Sequence, residues 1–368
     1  MKIKEFEIRT IQLPLVRPFR TSFGTQTARE LVVIKVTNEN GTVGWAENVA
    51  MSEPLYSPEY VAASIDLTKR FLIPKLFSVE EFRAEDVADL LSPYLGAPMA
   101  KAALETAILD AQLRDENRSL ANFLGAVKDK VECGVSVGIA PSIDQLKEEV
   151  SSYVDAGYRR IKLKIEPGWD YEPTKVIREM FPNMRLQVDA NQAYTRNDGE
   201  LLARLDEFDL LLIEQPLDEH DVLGHAALAK KVKTPICLDE SIISLQSAED
   251  ALALKATTVI NIKPGRVGGY LESVKIHDLC VANKIPVWCG GMLETGIGRS
   301  ANLALAAMPG FTLPGDTSAS SRYFKTDVTD PFIMNDGYID VPQGPGIGVT
   351  PHIDFLDEIT TYKEVVTK

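Results

Sequence analysis

Residues 160–165 read Arg160-Ile161-Lys162-Leu163-Lys164-Ile165, with bases and apolar residues in strict alternation. A period of two marks a β-strand, whose successive side chains point to opposite faces of a sheet. Lys162 and Lys164 therefore share one face, and Ile161, Leu163 and Ile165 share the other. Seven further β-branched runs, at 132–139, 185–189, 211–214, 236–239, 259–263, 286–290 and 311–314, repeat the theme, each followed by a polar turn and a helical stretch. That beat specifies βα units and parallel strands. The C-terminal tips fall near Ser136, Lys164, Asp189, Glu214, Asp239, Lys263, Gly291 and Asp316, at intervals of 28, 25, 25, 25, 24, 28 and 25 residues. Such even spacing predicts a closed barrel. An open doubly wound sheet would carry phosphate-binding glycines after its first strand, and Gly134 and Gly138 do not make that loop.

Upstream, residues 5–13 and 31–37 alternate like antiparallel strands, and Asn40-Gly41 marks a hairpin turn. Helical spacing follows at 61–71, 79–91 and 100–113. Strands followed by helices suggest an α+β unit over residues 1–125, ahead of a barrel over 126–320. The tail, 321–368, is rich in Pro and Gly around Val341-Pro342-Gln343-Gly344-Pro345-Gly346 and is expected to fold back onto the N-terminal part.

The whole chain, 368 residues, is 45% hydrophobic and 25% charged, a globular composition with ample material for a core. Its 39 Lys and Arg against 53 Asp and Glu give a net charge of -14, the wrong sign for tracking nucleic-acid phosphates. No nucleic acid and no membrane partner is expected. Residues 1–8 alternate rather than forming a signal-peptide apolar run, which predicts a soluble, cytoplasmic protein. Cys133, Cys237, Cys280 and Cys289 stand singly, without CxxC spacing, and are read as reduced, buried thiols.

In a barrel the chemistry sits at the C-terminal strand tips. Asp189, Glu214 and Asp239 end three consecutive strands at a spacing of 25 and 25, side by side on one rim. One such acid alone would be read as a helix cap. Three in register favour a cation between them, and hard oxygen ligands without His or Cys suit Mg²⁺ or Mn²⁺. Lys162 and Lys164 on the second strand face Lys263 on the sixth, so a substrate would lie between amines. Repulsion between the lysines and from the divalent ion should lower a lysine pKa and free an amine as general base. The cation would meanwhile stabilise the enediolate formed when a proton leaves the carbon beside a carboxylate. The predicted reaction class is α-proton abstraction from a small-molecule carboxylate.

Four stretches then carry a resemblance. Pro18-Phe19-Arg20-Thr21-Ser22-Phe23-Gly24, the run from Lys162 to Trp169, Asn261-Ile262-Lys263-Pro264-Gly265-Arg266-Val267-Gly268-Gly269 and Gly290-Gly291-Met292-Leu293-Glu294-Thr295-Gly296 resemble the enolase superfamily, in its muconate-lactonising-enzyme subgroup. A Lys base working with Mg²⁺ is an already known pattern of that superfamily. Within it the chain is similar to the o-succinylbenzoate synthases, and more narrowly to members that also racemise N-acylamino acids. The resemblance implies a modified (β/α)8 TIM-type barrel of (β/α)7β form, capped by an α+β domain built from the N-terminal segment and the C-terminal tail. It implies Asp189, Glu214 and Asp239 as Mg²⁺ ligands, Lys164 and Lys263 as the acid/base pair, and Lys162 as an aid at the substrate carboxylate. It further implies dehydration of 2-succinyl-6-hydroxy-2,4-cyclohexadiene-1-carboxylate in menaquinone biosynthesis, and a symmetric homo-oligomer.

Ser136 and Asn191 are expected to hydrogen-bond substrate or metal-bound water, though strand-end capping explains them as well. Gly290 and Gly291 leave room for a ligand, or for a simple tight turn, and Met292 and Leu293 would wall the succinyl side. Phe19, Arg20 and Phe23, next to Gly24, resemble the mobile loop that closes over the barrel. Arg266 resembles the residue of racemase-competent members; otherwise it is a surface arginine on a glycine turn. Ser321 stands where the resemblance leads one to expect Asp.

Dipeptide epimerases carry two spaced acids at the last strand, whereas Gly315-Asp316-Thr317-Ser318 offers one. A histidine base is disfavoured, because His220, His225, His277 and His352 fall in helices or loops away from the tips. A Schiff-base aldolase and a non-catalytic metabolite-binding barrel are the alternatives from other classes.

Overall fold

The computed structural model describes residues 1–368. Seven parallel strands form one curled sheet in sequence order: Gly134–Val137, Arg160–Lys164, Arg185–Asp189, Ile213–Glu214, Ile236–Leu238, Val259–Ile262 and Val287–Cys289. They are called strands one to seven below. Their outer apolar residues, among them Ile161, Leu163, Val188, Ile213, Leu238, Ile260 and Val287, are buried in the main core beneath the surrounding helices. The helices start where the sequence offers side-chain acceptors: Ser142, Asp170, Asp221, Ser244 and Thr295 each cap a first turn. Inside the barrel, Leu212, Cys237, Val259 and Trp288 make a separate buried cluster, so the interior is packed and not a pore. All four cysteines are buried and free.

The eighth run, 311–314, is not the strand that its composition predicts. It joins the two sheet edges only through isolated parallel bridges, Val287 with Phe311 and Cys133 with Gly315. Gly134 N–H donates to Gly315 O at 2.8 Å and Asp316 N–H to Cys289 O at 2.9 Å. The ring therefore closes through a connecting segment. Pro314 has no N–H to donate, and Gly310 and Gly315 flank the run, so a continuous ladder cannot form.

A second, four-stranded antiparallel sheet caps the barrel, in the order Thr360–Thr367, Ile3–Thr21, Gly24–Asn38, Val43–Asn48. The last strand of the chain thus pairs with the first, with Phe6 opposite Val366 and Ile8 opposite Glu364. Tyr338–Asp340 pairs with Lys130–Glu132 on the way there. Asn40-Gly41 does make the turn, with Gly41 at φ 85°. Helix Pro98–Asp115 covers the predicted 100–113. The predicted helix 61–71 continues, through a widened turn at Thr68–Leu72, to Phe77. The one predicted at 79–91 is shorter: residues 79–83 are irregular, and regular turns begin at Ala84. Phe82 reaches the core from that irregular segment, whose N–H at Phe82 is taken by Met1 O at 3.2 Å, so its apolar signal needs no helix. No helix is long and apolar enough to cross a membrane.

Candidate active site

The predicted acids and lysines meet at one end of the barrel because parallel pairing puts their strand tips level. Lys164 is paired in register with Asp189, and Asp189 with Glu214. Asp239 follows the fifth strand and Lys263 the sixth. All of these side chains are buried. Lys164 Nζ donates to Asp189 Oδ2 at 2.6 Å and to Asn191 Oδ1 at 2.5 Å. Lys162 Nζ lies 3.2 Å from Asp189 Oδ2, 3.1 Å from Glu214 Oε2 and 2.8 Å from Asp316 Oδ2, with the Trp288 ring centroid at 4.7 Å. Lys263 Nζ donates to Asp239 Oδ2 at 2.8 Å and to the Tyr56 hydroxyl at 3.1 Å.

The two opposed lysines differ electrostatically. Burial lowers the Lys164 pKa, and Lys162 and Lys263 add to that, against the pull of Asp189. At Lys263 burial also opposes the charge, but Tyr56, Glu240, Glu214 and Asp189 outweigh it and hold the amine above its ordinary value. The predicted lowering is thus found at Lys164 alone, and desolvation rather than lysine repulsion leads it. Asp189 goes the opposite way from a normal buried acid: burial disfavours its charge, yet Lys164 and Lys162 keep it below the usual carboxylate range.

Arg266 is no surface arginine. It is 3% exposed, ion-paired with Asp239, and bonded through Nε to Ile242 O at 2.7 Å and through Nη2 to Asn261 O at 2.6 Å. The Ser136 hydroxyl donates to Asp316 Oδ1 at 3.1 Å. A Cβ on Gly290 would stand 2.3 Å from Asn261 Oδ1 and 2.7 Å from Lys263 Cε, so this glycine makes room for the lysine's own stem. Gly291 faces Asp316 and Glu294 in the same way. Met292 packs with Val49, Ala50, Met51, Tyr56 and Met99 of the cap, with Phe23 against them. Leu293, at φ 55°, turns into the main core.

The hairpin tip of the cap reaches over the barrel mouth. Ser22 Oγ donates to Ala190 O at 3.1 Å and Asn191 O at 3.2 Å, Arg20 Nη2 pairs with Glu166 at 2.7 Å, and Ile139 N–H donates to Arg20 O at 2.9 Å. Ser321 is exposed, and nothing in the structure explains its identity.

Several residues that the sequence reading gave no role at the site, among them Asp316, which it placed only as a strand tip, join the constellation. Arg160, fully buried, bonds Asp316 Oδ1 at 2.9 Å and stacks over Trp288; its signal was the period-two run Arg160, Lys162, Lys164. Asp316 ties Arg160, Lys162 and Ser136 together from the last segment. Asn261 Nδ2 donates to Glu214 Oε1 at 2.7 Å, and Glu240 accepts from Asn191 Nδ2 at 2.9 Å. Tyr56 comes from an irregular loop of the cap and carries no sequence signal at all.

The donor chemistry at the rim fits a hard divalent cation: Asp189, Glu214 and Asp239 supply only oxygens, and Asn261 Oδ1 and Glu240 Oε2 beside them have no hydrogen-bond partner. No three acids are gathered around one point. The positive groups lying on them are the ammoniums of Lys162, Lys164 and Lys263 and the Arg266 guanidinium.

Comparison with known proteins places this architecture. Residues 5–125 match the mandelate racemase / muconate lactonizing enzyme N-terminal domain, and 145–355 the enolase C-terminal domain-like family. The chain is 57% identical to an N-succinylamino acid racemase of Amycolatopsis sp, over 99% of both chains. It is 43% identical to an o-succinylbenzoate synthase of Bacillus subtilis, over 100% of this chain and 99% of that one. An enolase-superfamily member from Listeria innocua, of solved structure, superposes with a TM-score of 0.96 at 41% identity, covering 100% of this chain and 99% of the other. The chain therefore belongs to the enolase superfamily, in its muconate-lactonizing-enzyme subgroup, and is an enzyme of that group.

Proposed function

We propose that this enzyme dehydrates 2-succinyl-6-hydroxy-2,4-cyclohexadiene-1-carboxylate to 2-succinylbenzoate, the o-succinylbenzoate synthase reaction of menaquinone biosynthesis, and racemises N-succinyl and other N-acylamino acids at the same site. The observation that carries this reading is the opposed pair Lys164 and Lys263, each ion-paired to a buried carboxylate of the strands between them. Full-length similarity to a synthase and to a racemase supports it from a separate direction.

In the dehydration, Lys164 Nζ takes the proton from the carbon bearing the carboxylate. The electron pair left behind spreads onto the carboxylate as an enediolate. Its collapse expels the neighbouring hydroxyl as hydroxide, which recovers the proton from Lys164 and leaves as water, and the ring becomes aromatic. Lys263, kept protonated by its acidic surroundings, steadies the negative charge from the other face. In racemisation one lysine removes the α-proton and the other returns one to the opposite face, so each serves one enantiomer. Asp189, Glu214 and Asp239 would hold Mg²⁺, or another divalent cation such as Mn²⁺, whose charge would offset that of the substrate carboxylate. Lys162 would sit beside that carboxylate, and Ser136, Asn191, Gly291 and Met292 would line the substrate, whereas Leu293, expected on the same wall, is packed in the main core. The hairpin tip carrying Ser22 would exclude water.

A second reading, a dedicated N-acylamino acid racemase, is favoured by the 57% relative. Dipeptide epimerisation is not, because Asp316, the one acid at the last segment, is already bound by Arg160, Lys162 and Ser136.

The test is the Mg²⁺-dependent ultraviolet change on dehydration. Turnover should vanish with chelator and return with Mg²⁺, and Lys164→Ala should lower it by about 10³-fold or more with the fold intact by circular dichroism. Folded, metal-loaded protein that turns over N-succinylamino acids and not the cyclohexadiene would hand the case to the dedicated racemase.

A further inference from the structure

Glu240 follows Asp239 at the tip of the fifth strand and is 2% exposed. Its side chain makes one hydrogen bond: Oε1 accepts from Asn191 Nδ2 at 2.9 Å, and Oε2 has no partner. Burying a carboxylate costs several kcal/mol unless charge and hydrogen bonds compensate it, roughly in the range set by ion desolvation. One neutral amide donor and the more distant charge of Lys263 are poor compensation beside Asp189 and Glu214, and no backbone N–H reaches this side chain. An acid kept in such a place does little for stability.

What that single bond fixes is the direction of an amide. Asn191 has its backbone pinned on two sides, its N–H on Asp189 Oδ1 at 3.0 Å and its carbonyl under Ser22 Oγ at 3.2 Å, in the left-handed region at φ 41°. Only the amide plane remains to be set. Glu240 Oε1 accepts the NH₂ end of the amide, and this turns Oδ1 toward Lys164 Nζ, 2.5 Å away. The flipped amide would set donor against ammonium and carbonyl against carboxylate. Lys263 is held by hydrogen bonds to Asp239 and Tyr56 and has none to Asn191 or Glu240, which reaches it only as one of the surrounding charges.

We infer that Glu240 is a positioning residue for Lys164, acting through the side-chain amide of Asn191 in a hydrogen-bonded chain that has no counterpart at Lys263. The inference rests on the two-lysine reading above.

The experiment is α-proton exchange in D₂O, followed by proton NMR, for the two enantiomers of N-succinylphenylalanine with the Mg²⁺-loaded full chain. Lys164→Ala and Lys263→Ala identify which enantiomer reports on which lysine. Glu240→Leu should slow exchange on the Lys164 face about 10- to 100-fold relative to Glu240→Gln, the usual penalty for a misplaced catalytic group, while on the Lys263 face the two variants, both without the charge, should agree within about threefold. Glu240→Gln, which retains a carbonyl acceptor but no charge, should restore the Lys164 face to within about threefold of the unaltered protein. A Leu variant slower than the Gln variant by the same factor on both faces, or a Gln variant as slow as the Leu variant on the Lys164 face, would overturn the inference, since the role would then be structural or purely electrostatic. Should Glu240→Leu not fold, Asn191→Gly keeps the left-handed backbone while deleting the amide. It should give the same one-sided loss, and a two-sided loss again sinks the idea. Unaltered protein that exchanges neither enantiomer removes the two-lysine reading itself, an outcome distinct from any of these.

Discussion

Charge is buried in two regions of this molecule, the barrel mouth and the seam between cap and barrel, and the two neutralise it by different means. At the mouth, the acids Asp189, Glu214, Asp239, Glu240 and Asp316 share their space with Arg160, Lys162, Lys164, Lys263 and Arg266. At the seam, Glu47 of the cap accepts from Thr295 and Gly298 N–H at the start of helix Gly296–Ala306. Glu105 accepts likewise from Leu271 N–H at the start of helix Tyr270–Ala282. Helix starts supply only partial positive charge, and the buried Arg29, which partly offsets the burial of Glu47, makes no ion pair with it. Burial accordingly pushes both seam carboxyls up, Glu47 and Glu105 each to about 8. Asp316 at the mouth behaves oppositely: burial works against its charge, but Lys162 and Arg160 hold it well below the usual range. Direct ion pairs hold the charge of Asp189 and Asp316, whereas Glu240 at the same mouth, bonded only to an amide, is pushed up by burial to about 7 as the seam acids are.

The contrast can be broken by making the mouth resemble the seam. Arg160→Met leaves Asp316 with Lys162 as its only cation, and should cost about 3–5 kcal/mol in urea unfolding, the range for removing one member of a buried ion pair. A loss below about 1 kcal/mol would mean that the mouth tolerates an unmatched acid as the seam does.

A smaller effect sharpens the contrast from the other side. For a carboxyl whose folded pKa is raised, the folded state holds the extra proton, so stability is full below the unfolded value and falls as pH rises toward the folded one. Glu47 and Glu105 place that loss between the ordinary value of 4.5 and about 8. Glu105→Gln should flatten this part of the profile and stabilise the protein at pH above 8 by on the order of 2 kcal/mol. Urea midpoints at acid, neutral and alkaline pH would reveal it, and curves that remain parallel would show that Glu105 is already compensated.

The smallest expected effect lies where cap and mouth touch. Ser22→Ala deletes the two-carbonyl latch above Asn191, worth about 1 kcal/mol. KM should rise about fivefold, the equivalent of that energy, with kcat within about twofold. An unchanged KM would leave the hairpin tip without a part in substrate closure.

Much of this could be read from the chain. Period two put Lys162 and Lys164 inside and Ile161 and Leu163 outside, and the 25-residue beat set seven of the eight barrel segments in parallel order. The eighth was misread because Phe311-Thr312-Leu313 alternates apolar residues about a β-branched Thr, while Pro314 denies it a ladder. The apolar residues of 79–83 suggested a helix, although Phe82 is buried by tertiary packing alone. Apart from its resemblance to the residue of racemase-competent members, Arg266 read as a surface turn residue, because nothing local says that Asp239, 27 positions earlier, will stand beside it.

The sequence by itself determined which face of its own strand each residue takes, and hence that acids and lysines would crowd one rim, because alternation is a local property of an extended backbone. Only the tertiary structure decided which cation meets which anion. Lys164 faces Asn191 and through it Glu240, whereas Lys263 faces Tyr56 from the cap. Those partners arrive by ring closure, inter-strand register and the docking of a separate sheet, and such long-range terms are written in no single stretch of the chain.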